Sequence, residues 1–212
     1  MSQRLWIATG NAKKKLELLR LLEPLGFELL GLDEAPPIEI VEDAPDFAGN
    51  AAKKAVPLAL ATGELALGDD SGLAVDALGG EPGVRSARWA GPDATDADRI
   101  AKLLGALERL PDRRARFVCH LCLAAPGPSG VEVVWTTEQT CEGEILNEPR
   151  GLGGFGYDPA FAPIEQSGER TGLVSERSFA EMTPEEKDAL SHRGKALREL
   201  VAHLSAHPSG RP

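Results

Sequence analysis

The chain has 212 residues, with 33 acidic against 23 basic side chains and a formal net charge of −10. That length suits one domain, or a core with a flap, able to bury a real hydrophobic core, and the acidic balance argues against a partner held by neutralising a long run of nucleic-acid phosphates. No apolar run approaches the roughly 20 residues that span a bilayer and no signal peptide opens the chain, while three cysteines, an odd and small number, suit a reducing cytoplasm.

Arg4-Leu5-Trp6-Ile7-Ala8 reads as a short buried strand that breaks at Thr9-Gly10-Asn11. A helix follows, with Leu18, Leu19 and Leu22 at helical spacing, and Pro24-Leu25-Gly26 ends it. Lys13, Lys14 and Lys15 occupy its first turn. Cations there oppose the helix dipole unless an anion is bound, so this strand–turn–helix reads as a phosphate site, although the P-loop pattern is absent. Residues 27–32 read as a second strand and 34–37 as a connector. Phe47, Ala51, Ala55, Leu58 and Ala59 mark a helix that carries Lys53 and Lys54.

Leu65-Ala66-Leu67 leads into Gly68-Asp69-Asp70-Ser71-Gly72. Adjacent carboxylates repel, and a pair at a strand end calls for compensation; a bound cation is the usual one, and hard oxygen ligands favour Mg2+. Ile100, Leu103, Leu104 and Leu107 mark a helix entered through Asp93-Ala94-Thr95-Asp96, and residues 115–125 and 131–141 form a hairpin around Pro126-Gly127-Pro128-Ser129-Gly130. Cys119 and Cys122 lie three apart on the first strand of that hairpin, so they face opposite sides and do not share a metal.

Gly151-Leu152-Gly153-Gly154-Phe155-Gly156 matches G-x-G-x-x-G, but Tyr157-Asp158-Pro159 follows at once and no helix can open there. A glycine-rich loop that projects Phe155 and Tyr157 suits stacking on a planar base instead. Residues 164–172 read as an exposed polar loop. Thr183-Pro184-Glu185-Glu186 has helix-start chemistry, Ala196, Leu197, Leu200, Val201 and Leu204 give the last helix its apolar face, and residues 207–212 read as a frayed tail. The alternation of elements gives an α/β fold with a mixed sheet.

Five segments in register make the chain resemble the inosine triphosphate pyrophosphatase family, house-cleaning enzymes that hydrolyse aberrant purine nucleoside triphosphates. They are Thr9-Gly10-Asn11-Ala12-Lys13-Lys14, with its T-x-N-x-x-K core; Asp69-Asp70-Ser71-Gly72-Leu73; Pro82-Gly83-Val84-Arg85-Ser86-Ala87-Arg88; Gly153-Gly154-Phe155-Gly156-Tyr157-Asp158-Pro159-Ala160-Phe161; and Ser191-His192-Arg193-Gly194-Lys195-Ala196-Leu197. The resemblance runs from residue 5 to about residue 204. It implies an elongated sheet flanked by helices, with two lobes and a nucleotide cleft between them. A single catalytic domain would occupy residues 1–206, the second lobe lying at about 110–160. It also implies a homodimer and the conversion of ITP, dITP or XTP to the monophosphate and pyrophosphate with Mg2+ as cofactor, while charge, hydropathy and cysteine usage point to a cytoplasmic protein with no nucleic-acid polymer or membrane as partner.

By the same resemblance, Asp70 binds Mg2+ and orients or deprotonates water, Asp69 supports it, and Glu42 supplies the second metal carboxylate. Lys14 and Lys54 are the catalytic lysines. Thr9, Gly10, Asn11, Ala12, Lys13, Lys14 and Ser71 contact the substrate, and Phe155, Gly156, Tyr157, Asp158, Lys187, His192 and Arg193 read its base. A cationic donor such as Arg193 favours the 6-oxo acceptor of hypoxanthine and xanthine over the amino group of adenine. The chain departs from the family in two places: Gly49-Asn50-Ala51 replaces the usual E-N-A, and the stretch after Phe161 is longer. Two alternatives are a septum-associated pyrophosphatase acting on pyrimidine or modified nucleotides, which lacks the Phe-Gly-Tyr-Asp and Ser-His-Arg-Gly segments, and a non-catalytic nucleotide sensor, which has no need of Glu42, Asp69 and Asp70.

Overall fold

In a computed structural model, which describes residues 3–165 and 171–211, six strands form one mixed sheet in the order β2-β1-β3-β4-β5-β6. The strands are β1 (Arg4–Ala8), β2 (Glu28–Gly31), β3 (Leu65–Val75), β4 (Arg114–Gly127), β5 (Gly130–Ile145) and β6 (Phe161–Pro163). β1 runs parallel to both β2 and β3, and β6 is antiparallel to β5. Five α-helices accompany them: α1 (Ala12–Leu22), α2 (Phe47–Thr62), α3 (Asp96–Ala106), α4 (Pro184–Leu190) and α5 (His192–Ala206). The mixed α/β class is the one expected. Among the described residues no helix is long and apolar enough to cross a membrane.

The chain divides into two units. The first takes the residues up to Asp70, Cys119–Gln139 and the stretch from Ala196 onward; the second takes Ser71–Val118 and Thr140–Lys195. This differs from a second lobe at about 110–160. The hairpin strands β4 and β5, of 14 and 16 residues, serve both units, their turn-side portions within Cys119–Gln139 belonging to the first.

Side-chain alternation builds the first unit in layers. Leu5, Ile7, Leu65, Leu67, Cys119, Leu121 and Leu123 pack with Leu18 and Leu22 of α1 and with Leu197, Leu200 and Leu204 of α5. Trp6, Ala8, Ala66, Cys122 and Ala124 pack instead with Ala51, Ala55, Leu58 and Ala59 of α2. Successive strand residues point to opposite faces, so α1 and α5 cover one face and α2 the other. A Cβ on Gly68 would come within 2.1 Å of the Ala51 carbonyl oxygen, which is why α2 can lie directly on β3. Cys119 and Cys122 sit in different layers as free thiols, and burial pushes the Cys122 thiol up to about 11.

In the second unit, Leu73, Val75, Ile100, Leu103, Phe117, Tyr157, Phe161 and Phe179 form the core. Capping boxes start α3 (Thr95 with Asp98) and α4 (Thr183 with Glu186, Pro184 in the first turn), the latter as its sequence predicts.

Several elements differ from expectation. β3 does not stop at Asp69-Asp70 but continues to Val75. The hairpin loop narrows to residues 128–129 because both strands run further than their apolar alternation suggested. The stretch after β6 is closed at its base, with Glu165 N donating to the Leu173 carbonyl at 2.8 Å and Ser175 N to that of Pro163 at 2.8 Å; the remainder of the expected loop, residues 166–170, lies outside the described residues. The tail read as frayed is anchored as far as it is described. Arg211 pairs with Glu132 at 2.7 Å and donates to the Pro126 carbonyl at 2.8 Å, and the buried Gly210 lies against Leu65 and Leu123.

Candidate active site

Asp69 and Asp70 sit in mid-strand and are both buried. Being consecutive in β3, they point to opposite faces of the sheet. Asp69 turns to the α1 side, where Lys14 Nζ lies 2.7 Å from its Oδ1 and Cys119 Sγ 3.6 Å from its Oδ2. Asp70 turns to the α2 side, where Lys54 Nζ lies 2.7 Å from its Oδ1 and Asn50 Nδ2 donates to its Oδ2 at 3.2 Å. The two carboxylates therefore do not crowd one another as their adjacency suggested. Each has its own ammonium, and the compensation assigned to a bound cation is supplied first by Lys14 and Lys54. Cys119 and Asn50 are contributors that local sequence reading missed, because each reaches its aspartate from another element.

Burial raises the pKa of Asp70, and the opposing pull of Lys54, Lys14 and Asn50 only partly offsets it. Burial alone would depress Lys54, but Asp70 and Glu42 outweigh it and hold the ammonium above its ordinary value. Lys54 Nζ also donates to the Asp69 carbonyl at 3.0 Å and pairs with Glu42 Oε2 at 2.7 Å. Glu42 and Asp70 thus converge on one ammonium.

Among the described residues no three His, Cys, Asp or Glu side chains gather as a metal cage. A Mg2+ ion takes one or two protein carboxylates and fills its remaining positions from phosphates and water. Glu42 and Asp70 fit such an ion.

The turn between β1 and α1 is shaped by Asn11. Its Oδ1 accepts the Lys13 and Lys14 amides at 3.0 and 3.1 Å, and its own amide donates to Thr9 Oγ1 at 3.2 Å. Two of the helix-terminal donors expected to face phosphate are therefore committed to the cap. The Gly10 backbone is exposed, with nothing within 4 Å of where a Cβ would stand.

In the second unit, Asp158 Oδ2 accepts from Lys187 Nζ at 2.7 Å and from the Phe155 amide at 2.8 Å. The half-buried Phe155 ring has Lys187 Nζ 4.6 Å and Arg193 Cζ 5.8 Å from its centroid. Arg193, only 2% exposed, donates to Ser71 Oγ at 2.7 Å. These residues are brought together within the second unit. Tyr157 is not placed for stacking on a ligand: it is 3% exposed, packs in the core and donates its hydroxyl to the Ser86 carbonyl at 3.0 Å. His192 is likewise buried, its ring stacked on Phe117 at 4.8 Å. The Gly156 amide donates to Asp96 of α3 at 2.8 Å, an anchor for the loop that lies 60 residues away in sequence.

Comparison with known proteins places this geometry in context. The sequence model of the Ham1 family matches residues 5–203. The chain is 46% identical over 205 residues to a dITP/XTP pyrophosphatase of Desulforamulus reducens, covering 95% of this chain and 96% of the relative. It is 47% identical over 219 aligned positions to a dITP/XTP pyrophosphatase of Cutibacterium acnes, covering 98% and 99%. The solved structure of a HAM1 protein from Coxiella burnetii superposes with a TM-score of 0.82 at 40% identity, covering 96% of this chain and 99% of that one.

Proposed function

The chain belongs to the Ham1 family, and on that footing we propose that it is a Mg2+-dependent nucleoside-triphosphate pyrophosphatase that hydrolyses ITP, dITP and XTP to the monophosphate and pyrophosphate. The observation that carries the reading is the pair of buried lysine–carboxylate contacts made by consecutive residues of β3, Lys14 with Asp69 and Lys54 with Asp70. A structural strand has no use for two buried charges that interrupt its apolar run.

Water attacks the α-phosphorus, the bond from that phosphorus to its bridging oxygen breaks, and pyrophosphate leaves. Asp70 accepts the proton of the attacking water, a task for which a carboxylate raised by burial is better suited than an ordinary one. Lys14 and Lys54 offer positive charge to the phosphate oxygens, and the Thr9-Gly10-Asn11 turn with Ala12 and Lys13 seats the phosphate chain. Glu42 and Asp70 would hold the Mg2+, which would neutralise phosphate charge. Phe155 stacks on the base, and Arg193, anchored on Ser71, donates to the 6-oxo group. Lys187 and Asp158 hold the loop and its charge, while Gly156, Tyr157 and His192 set the loop and helix start in place. We assign the protein to the cytoplasm, which its free buried thiols suit, and to a homodimer, which rests on family resemblance.

Pyrophosphate release from ATP, GTP, ITP, XTP and dTTP, with and without Mg2+, tests the reading. ITP and XTP are expected to lead, and chelating the metal to abolish turnover. A lead for dTTP would favour the septum-associated kind of pyrophosphatase, and tight binding without turnover would favour a sensor.

A further inference from the structure

We propose that Asn50 is a positioning residue for the reaction: it aims the Asp70 carboxylate and ties it to the segment that carries Glu42. The inference rests on the enzymatic reading above and adds to it a residue with no contact to the reacting atoms.

Asn50 lies in the first turn of α2 and is 1% exposed. Both ends of its amide are used. Nδ2 donates to Asp70 Oδ2 at 3.2 Å, and Oδ1 accepts the Ala44 amide at 3.0 Å. The orientation of the amide is fixed by these partners, since a backbone N–H can only face the oxygen and an ionised carboxylate can only face the NH2. Lys54, one helical turn further along α2, holds the other oxygen of Asp70 and also Glu42. α2 thus grips both oxygens of one carboxylate from positions 50 and 54, which fixes its plane. Those same two residues grip the 42–44 segment, Lys54 by the Glu42 side chain and Asn50 by the Ala44 backbone.

Gly49 completes the arrangement. A Cβ there would stand 2.6 Å from the Ala44 Cβ and 3.0 Å from Asp46 Oδ1. The glycine that replaces the family's usual glutamate lets the 44–46 segment close onto the helix start, within reach of Asn50. Only a side chain with a donor and an acceptor on one short, planar group satisfies both Ala44 and Asp70. Aspartate keeps the shape and the bond to Ala44 but turns an anionic oxygen toward Asp70; alanine removes both bonds.

Asn50→Asp is therefore the discriminating variant, with Asn50→Ala beside it. Kinetics with ITP are read as kcat and KM separately, Mg2+ affinity by calorimetry, and folding by Tm. Both variants are expected to lose roughly ten- to a hundredfold in kcat and to bind Mg2+ more weakly by a comparable factor, the usual consequence of removing a group that orients a ligand. The ratio of kcat/KM for ITP to that for ATP should stay at the wild-type value, because the base-reading residues are untouched. If Asn50 served only to hold Ala44, Asn50→Asp would keep wild-type kcat and Mg2+ affinity; that result overturns the inference, as does a loss of activity matched by the loss of folded protein. Wild-type protein in the same assay separates the two failures: an inactive wild type overturns the enzymatic reading and this inference with it, whereas an active wild type with an unaltered Asn50→Asp overturns this inference alone.

Discussion

At Asp70, burial and charge pull in opposite directions. A carboxylate there is kept by Lys54 and Asn50 against a desolvation that favours the neutral acid. Asp70→Asn preserves the shape and removes the basicity and the charge. Turnover of the protein that remains folded is expected to fall by about a hundredfold or more, while loss of the buried partner of Lys54 lowers Tm. Near-normal activity at saturating Mg2+ would remove Asp70 from the chemistry. Arg193 belongs to the other half of the task. One charged hydrogen bond to a 6-oxo group in a desolvated site is worth about 1.5–3 kcal/mol, roughly ten- to a hundredfold in specificity. Arg193→Ala should therefore lower kcat/KM for ITP by that factor and leave the poor hydrolysis of ATP almost unchanged. The comparison is a ratio within one preparation, so partial unfolding cancels; an equal fall for both nucleotides would assign Arg193 to the phosphates or the fold. Adjacent aspartates and a lysine-rich first turn were legible in the sequence. What stayed hidden was that strand geometry sends Asp69 and Asp70 to opposite faces, each to a lysine on a different helix.

Among the elements, the loop at 151–157 shows how a motif can be recognised and its two rings still be assigned wrongly. Asp96 of α3 holds the Gly156 amide, Ser86 takes the Tyr157 hydroxyl, and the Phe155 ring is left beside Lys187 and Arg193. Phe155→Ala is expected to raise KM for ITP by roughly five- to a hundredfold, the equivalent of about 1–3 kcal/mol of base stacking, with Tm close to wild type. Tyr157→Ala should instead destabilise the protein by about 3–5 kcal/mol, as loss of a core aromatic does. An unchanged KM in Phe155→Ala would contradict the division of labour. Sequence pattern located β1, α1, the long hairpin, the start of α4 and the apolar face of α5, since caps and apolar periodicity are local. It misplaced the end of β3 because an aspartate pair ordinarily marks a turn, and only the lysines of α1 and α2 let the strand continue. It overlooked β6, whose three residues are too few to carry a period. Asn50 was invisible for a related reason: its role exists only once α2 lies on β3 across Gly68.

For the whole molecule, each unit carries its own set of charged and aromatic side chains. The residues up to Asp70 hold the lysines, the carboxylates and the turn offered to phosphate, whereas those from Ser71 hold Phe155, Asp158, Lys187 and Arg193. β3 joins the two sets covalently at the Asp70–Ser71 bond. The decisive question is the site of bond cleavage. The most direct measurement is hydrolysis of ITP with Mg2+ in water enriched in 18O, with the products separated and weighed by mass spectrometry. Attack at the α-phosphorus predicts inosine monophosphate carrying one 18O from solvent and an equal amount of unlabelled pyrophosphate. Release of orthophosphate with a diphosphate product, or solvent oxygen in the pyrophosphate, would contradict the account.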